Sequence, residues 1–169
     1  TGYNGEETLE AINGEAKEAL IATKADQKEV TFTMNVINNY ENTLDNVVVL
    51  GRTPFAGNKD VITSQNLGST MDMPLTTGIT VSGIDSSNIT IYYSENGEAT
   101  SDVTNASNEW KTDVSDYSKV KSYMITLNNY TMNTGASFTF SYKAMIQANL
   151  DYYKAAYENY AIYFNNNQS

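Results

Sequence analysis

The chain has neither cysteine nor histidine among its 169 residues. These two absences remove disulfides, thiol nucleophiles, zinc sites built from Cys and His, and every catalytic triad that uses histidine as its base. Basic residues are few as well. Ten Lys and Arg stand against twenty Asp and Glu, a formal charge of −10. Nucleic acids and anionic membranes both demand a basic footprint, so neither is an expected partner. No apolar run approaches the roughly 20 residues that a membrane-spanning helix requires, and no signal peptide opens the sequence. The first residue is Thr1 rather than Met, which reads as a piece of a longer or processed protein. No glycine-rich phosphate loop and no Ser-x-x-Lys motif is found. Paired carboxylates are the only catalytic chemistry left, and acids are too common here to select a pair. The chain is expected not to be an enzyme.

What the sequence does contain is β-pattern. Thirteen Tyr against five Phe, with abundant Thr and Asn, suit sheets whose outer faces meet water. Between Glu29 and Tyr40, Val30, Phe32, Met34 and Val36 alternate with Thr31, Thr33, Asn35 and Ile37. A period of two places one set on the core face of a strand. An Asn-rich turn follows, then Val47–Leu50, stopped by Gly51 and Pro54. The spacing predicts that these two runs pair with each other as an antiparallel hairpin.

Further strands are expected at Glu18–Lys24, Ile79–Val81, Ile89–Tyr93, Lys119–Asn128, Phe138–Ile146 and Tyr157–Phe164, with a short extended piece near Val61 and Ile62. Glu95-Asn96-Gly97-Glu98 is a strong turn signal. About seven to nine strands without crossover helices predict an all-β, immunoglobulin-like antiparallel β-sandwich with long loops. Residues 1–17 read as a lead-in or linker, 18–165 as the sandwich and 166–169 as a tail.

Four segments carry a family resemblance. They are EVTFTMNVINNYENTLDNVVV at 29–49, GRTPFAG at 51–57, GASFTFSYKAMI at 135–146 and ENYAIYF at 158–164. In this order they resemble the conserved-repeat, immunoglobulin-like domains of Gram-positive bacterial surface proteins and adhesins. Gly51-Arg52 stands where that family carries an acid, and the stretch from Asn58 to Ser118 is longer than a minimal repeat. The resemblance implies an extracellular, cell-surface or cell-wall location and a stalk, spacer or ligand-presenting role. It implies neighbouring domains of the same polypeptide as partners, together with a host, matrix or glycan ligand. The alternative expectation is an accessory carbohydrate-binding domain beside an exported glycosidase.

The resemblance also raises an intramolecular isopeptide bond, in which a Lys amine attacks an Asn carboxamide and ammonia leaves. That chemistry needs burial to lower the Lys pKa and raise that of a proton-shuttling acid. Lys24 and Asn159 form the candidate pair, with Lys17 and Lys28 as alternative amines and Asp72, Glu29 or Glu158 as the acid. The bland reading, a solvated lysine and a hydrogen-bonded amide, is the favoured one.

Hard oxygen ligands for calcium are plentiful around Asp102, Asp113 and Asp116 and around Glu95 and Glu98, but no calcium-loop motif orders them. The expectation is therefore no cofactor. Trp110 and Tyr117 are the candidate ligand-contacting aromatics, since aromatics among Asn and Asp can stack on sugar rings. A Trp in a long loop more often folds back as a hydrophobic anchor.

Overall fold

A computed structural model of the chain describes residues 11–12, 15–16, 20–22, 28–147 and 154–167. Two antiparallel sheets face each other across one apolar core. The first contains β4 (Lys28–Ile37), β9 (Ser137–Ile146) and β6 (Thr80–Ser82), in the order β4-β9-β6. The second contains β11 (Asn159–Asn167), β5 (Thr43–Arg52), β8 (Ser122–Leu127) and β7 (Ile89–Ser94), in the order β11-β5-β8-β7. Two short pairs accompany them: β1 (Ala11–Ile12) with β2 (Glu15–Ala16), and β3 (Leu20–Ala22) with β10 (Lys154–Ala156). The fold is an all-β sandwich.

The alternation read from the sequence becomes the core. Val30, Phe32, Met34 and Val36 of β4 are buried, as are Phe138, Phe140, Tyr142, Ala144 and Ile146 of β9. The two strands pair over their full ten residues, Lys28 opposite Ile146 and Ile37 opposite Ser137. From the facing sheet come Val47 and Val49 of β5, Tyr123, Ile125 and Leu127 of β8, and Tyr160 of β11. Aromatic rings join the sheets. Phe140 meets Tyr160 edge-on at 5.2 Å between centroids, and Tyr123 tilts against Tyr142 at 5.6 Å.

The predicted hairpin does not form. β4 pairs with β9, whereas β5 pairs with β11 and β8, so the two runs lie in opposite sheets. The connection between them is an arch held by the buried Asn38. Its Nδ2 donates to the carbonyls of Asn42 (3.0 Å) and Met132 (2.9 Å), and its Oδ1 accepts from the amide of Tyr40 (2.9 Å). An Asx turn of this kind redirects the chain without any ladder between the flanking strands.

A β-bulge interrupts β5. Between Tyr163↔Val48 and Asn165↔Asp45 the register with β11 shifts, and Asn46 takes a positive φ of 51°. The extra residue on β5 explains why Leu44 and Val47, three apart, both face the core. Asn is one of the few side chains that visits the left-handed region readily.

Two other expectations change. Val61 and Ile62 belong to a turn rather than an extended piece. Oδ1 of Asp60 accepts from the amides of both Ile62 and Thr63 at 2.8 Å, and Lys59 bridges to Asn66. β11 runs to Asn167, which lies opposite Thr43, three residues past the strand end expected at Phe164. Of the first strand expected at Glu18–Lys24, Leu20–Ala22 is seen as β3; its remaining residues lie outside the described ones.

Candidate functional site: a polar row and cleft at one end of the four-stranded sheet

At the end of the sheet where β5 finishes and β11 begins, two rows of side chains cross the strands. The registers put Asn159 opposite Arg52, Arg52 opposite Ser122, and Ser122 opposite Ser94. Directly opposed residues share a face, so these four polar residues form one row. The next row inward, Tyr160, Gly51, Tyr123 and Tyr93, points to the other face and into the core.

The aromatic row explains Gly51. A Cβ there would lie 2.1 Å from Cζ of Tyr123, so the ring can cross the β5 backbone only above a residue with no side chain. Tyr123 and Tyr142 are fully buried, and among the described residues their hydroxyls have no hydrogen-bond partner. Oε2 of Glu158, a residue only 3% exposed, is likewise unpartnered. Desolvation pushes the Glu158 carboxyl up to about 8 and holds both phenols well above their ordinary value. Glu158 is thus a neutral acid at the core edge.

The polar row lies on the outer face, yet it is buried too, because two long connections fold over it. Asn159 (4% exposed) donates from Nδ2 to Oδ2 of Asp60 at 3.1 Å and accepts from the amide of Val61 at 2.9 Å. Oγ of Ser122 donates to the carbonyl of Asn96 at 2.6 Å, and Oγ of Ser94 donates to that of Asn108. Arg52, 5% exposed, donates from Nη1 to Oγ of Ser122 at 2.9 Å. Desolvation lowers its pKa, but a guanidinium stays protonated in proteins. Among the described residues no carboxylate lies within ion-pair distance of Arg52; the pairs formed are Lys59–Glu98 at 3.1 Å and Lys143–Glu29 at 3.9 Å.

Above Arg52 the two connections leave a cleft of about 210 Å³, lined by Arg52, Lys59, Asp60, Glu98, Ser101 and Tyr163 among others. Asp60 is already committed to three N–H donors, which keep its carboxyl below the usual range despite some desolvation. Glu98 is bonded to Lys59. Of these four charges Lys59 and Glu98 pair with each other, whereas Arg52 and Asp60 are bonded to neutral groups.

The residues singled out in the sequence are dispersed. Asn159 bonds to Asp60 and Val61 of the cleft wall, but Lys24 and Lys17 lie outside the described residues, and of Lys28 only the backbone is described, opposite Ile146. The three candidate acids separate by environment. Asp72 accepts from the amide of Ala56 at the surface, Glu29 accepts from Thr76 beside Lys143, and Glu158 alone is buried. Glu158 immediately precedes Asn159, the first residue of β11; its carboxyl acts on the core phenols Tyr123 and Tyr142, whereas the Asn159 amide bonds to Asp60 and Val61. Among the described residues the acid bonded to Asn159 is Asp60, which sequence reasoning did not select.

Trp110 packs edge-on against Tyr92 at 6.4 Å and donates its indole N–H to the carbonyl of Thr100 at 2.8 Å. Tyr117 packs against Tyr93 at 5.2 Å. Tyr92 and Tyr93 are consecutive on β7 and face opposite ways, so the two aromatics are not brought together on one platform. Glu95, Asp113 and Asp116 border one small pocket of about 140 Å³ together with Lys111 and Lys119. Asp102 instead accepts from the amide and hydroxyl of Thr104. Among the described residues no group of three or more acids is arranged to hold a metal.

Comparison of the chain with protein-family models, with curated proteins and with solved structures finds no match.

Sequence reasoning misses Arg52 as a site residue, although Gly51-Arg52 stands where the resembled family carries an acid. The available signal was positional. Arg52 falls on the same face of β5 as Leu50, within an otherwise apolar run, and an ionised residue there needs cover.

Proposed function

We propose that the chain is a non-catalytic structural and ligand-presenting module of a larger bacterial cell-surface protein. The observation that carries this reading is the path of the long strands. β4 starts, and β5 ends, at the pole where Pro54, Met73, Pro74 and Met145 are hydrogen-bonded together. β11 starts at that pole too and ends at the other, with Asn167 opposite Thr43. Tension applied between Lys28 and Asn167 therefore runs along β4 and β11. It would shear the β4–β9 and β5–β11 ladders as whole units rather than unzip them bond by bond. Both long connections, 53–79 and 95–121, gather at the first pole, where they are pinned to the sheet through Asn159, Ser122 and Ser94. A stiff body with an elaborated end suits a spacer that also presents a surface.

An accessory carbohydrate-binding role is the second reading, favoured by the hydroxyl-bordered cleft over Arg52. Single-molecule force spectroscopy decides the mechanical reading. Pulling through residues 28 and 167 is expected to need a markedly higher force than pulling through 28 and 146, which peels β4 from β9 at one end. Equal, low forces in both geometries would overturn it.

A further inference from the structure

We infer that the cleft over Arg52 is a binding site for a small hydroxylated carboxylate, of the class to which sugar acids belong. The inference rests on the ligand-presenting reading above and names the chemistry of what is presented.

A buried charge is costly unless it is paired and hydrogen-bonded. Arg52 is buried, and among the described residues its one side-chain hydrogen bond goes to a serine hydroxyl. A guanidinium carries five N–H donors in a planar fork, a shape that matches a carboxylate in two parallel bonds. The counter-charges nearby are engaged: Asp60 with Ile62, Thr63 and Asn159, and Glu98 with Lys59. The buried end of the cleft therefore keeps a guanidinium that has no ion pair among the described residues and feels Glu98 only at a distance, and its open end carries the paired Lys59 and Glu98.

The walls indicate what the rest of the ligand offers. Ser64, Thr100 and Ser101 border the cleft, and hydroxyls both donate to and accept from sugar hydroxyls. Tyr163, 41% exposed, lies on the same face of β11 as Asn159 and closes one side. Its ring supplies an apolar surface beside the polar wall, as small-ligand sites require. The chain's overall charge of −10 does not oppose this. Exposed charges are screened beyond roughly 8–10 Å at physiological salt, whereas the buried guanidinium acts at contact.

The test is a titration of the isotope-labelled chain, followed by backbone amide NMR, with D-glucuronate, acetate and D-glucose as separate probes. Glucuronate is expected to shift the amides of Val61, Ser64, Thr100 and Ser101. Acetate should shift the subset nearest Arg52 more weakly, and glucose should leave all of them in place. Arg52→Gln keeps a donor for Ser122 and should weaken glucuronate binding about tenfold or more, the weight of a charged hydrogen bond. Tyr163→Ala, a substitution at an exposed position, should weaken glucuronate but not acetate, and this arm stands even if Arg52→Gln fails to fold.

Absence of any cleft shift with glucuronate would overturn the inference. So would equal responses to glucuronate and glucose, or unchanged affinity in both variants. An acetate response as strong as that of glucuronate would reduce the site to a bare anion hole and overturn the sugar-acid assignment. The force measurement is made on the ligand-free chain, so failure of binding leaves the mechanical reading standing, and the reverse also holds.

Discussion

Glu158 and Gly51 show how single residues at this pole are held by their surroundings. The carboxyl of Glu158 titrates at about 8 in the folded chain because it is desolvated, against an ordinary value near 4.3 in an unfolded one. Its folded pKa is raised, so the native state holds the proton more tightly. That contribution is complete below the unfolded pKa and is lost as pH rises through about 8. With about 1.4 kcal/mol per unit of separation, the loss is a few kcal/mol. Melting temperature is therefore expected to fall as pH is raised from about 5 to about 9, and Glu158→Gln should flatten that slope. A slope unchanged in the variant would show that another group carries it. Gly51→Ala drives a methyl into the buried Tyr123 ring, and a loss of about 1–3 kcal/mol is expected in urea unfolding, typical of overpacking. Wild-type stability in that variant would mean that the ring can move aside.

At the scale of elements, the bulge in β5 sets the phase of everything after it. Leu44 faces the core before the extra residue, and Val47, Val49 and Gly51 face it afterwards, which places Leu50 and Arg52 on the outer face. Asn46→Gly should be close to neutral, because glycine adopts a positive φ freely. Asn46→Val should cost about 1–2 kcal/mol, since a β-branched side chain resists the left-handed region. Chemical denaturation measures both, and equal stabilities would mean that the strand re-registers to remove the bulge. The arch at Asn38 is the companion device. It sends β4 and β5 into different sheets, where a hairpin turn would have left them paired.

For the molecule as a whole, the intact mass is the most direct check of its covalent state. The amide nitrogen of Asn159 donates to Asp60, whose own donors keep it ionised, while the buried acid Glu158 acts on the core phenols Tyr123 and Tyr142. Ammonia loss needs a neutral amine and an acid that can pass protons at the amide itself. The expected mass is that of the unmodified sequence, read by high-resolution mass spectrometry of the folded chain. A mass lower by one ammonia would establish a cross-link, and peptide mapping would then place it.

The sequence alone was sufficient for the all-β class and for the faces of β4, β8 and β9, because a period of two specifies which side chains share a face. The same pattern is silent on partners. Strands of opposite sheets and strands of one hairpin alternate alike, so only the folded chain could separate β4 from β5. The cleft was hidden for a related reason. Arg52 and Asn159 occupy outward positions, where polar residues ordinarily meet water. They are buried only because connections distant in sequence, around Asp60 and around Asn96 to Asn108, fold back across them. Local pattern determined the sandwich, and long-range packing of the two loops decided that its outer face at one end would enclose a guanidinium with no ion pair among the described residues.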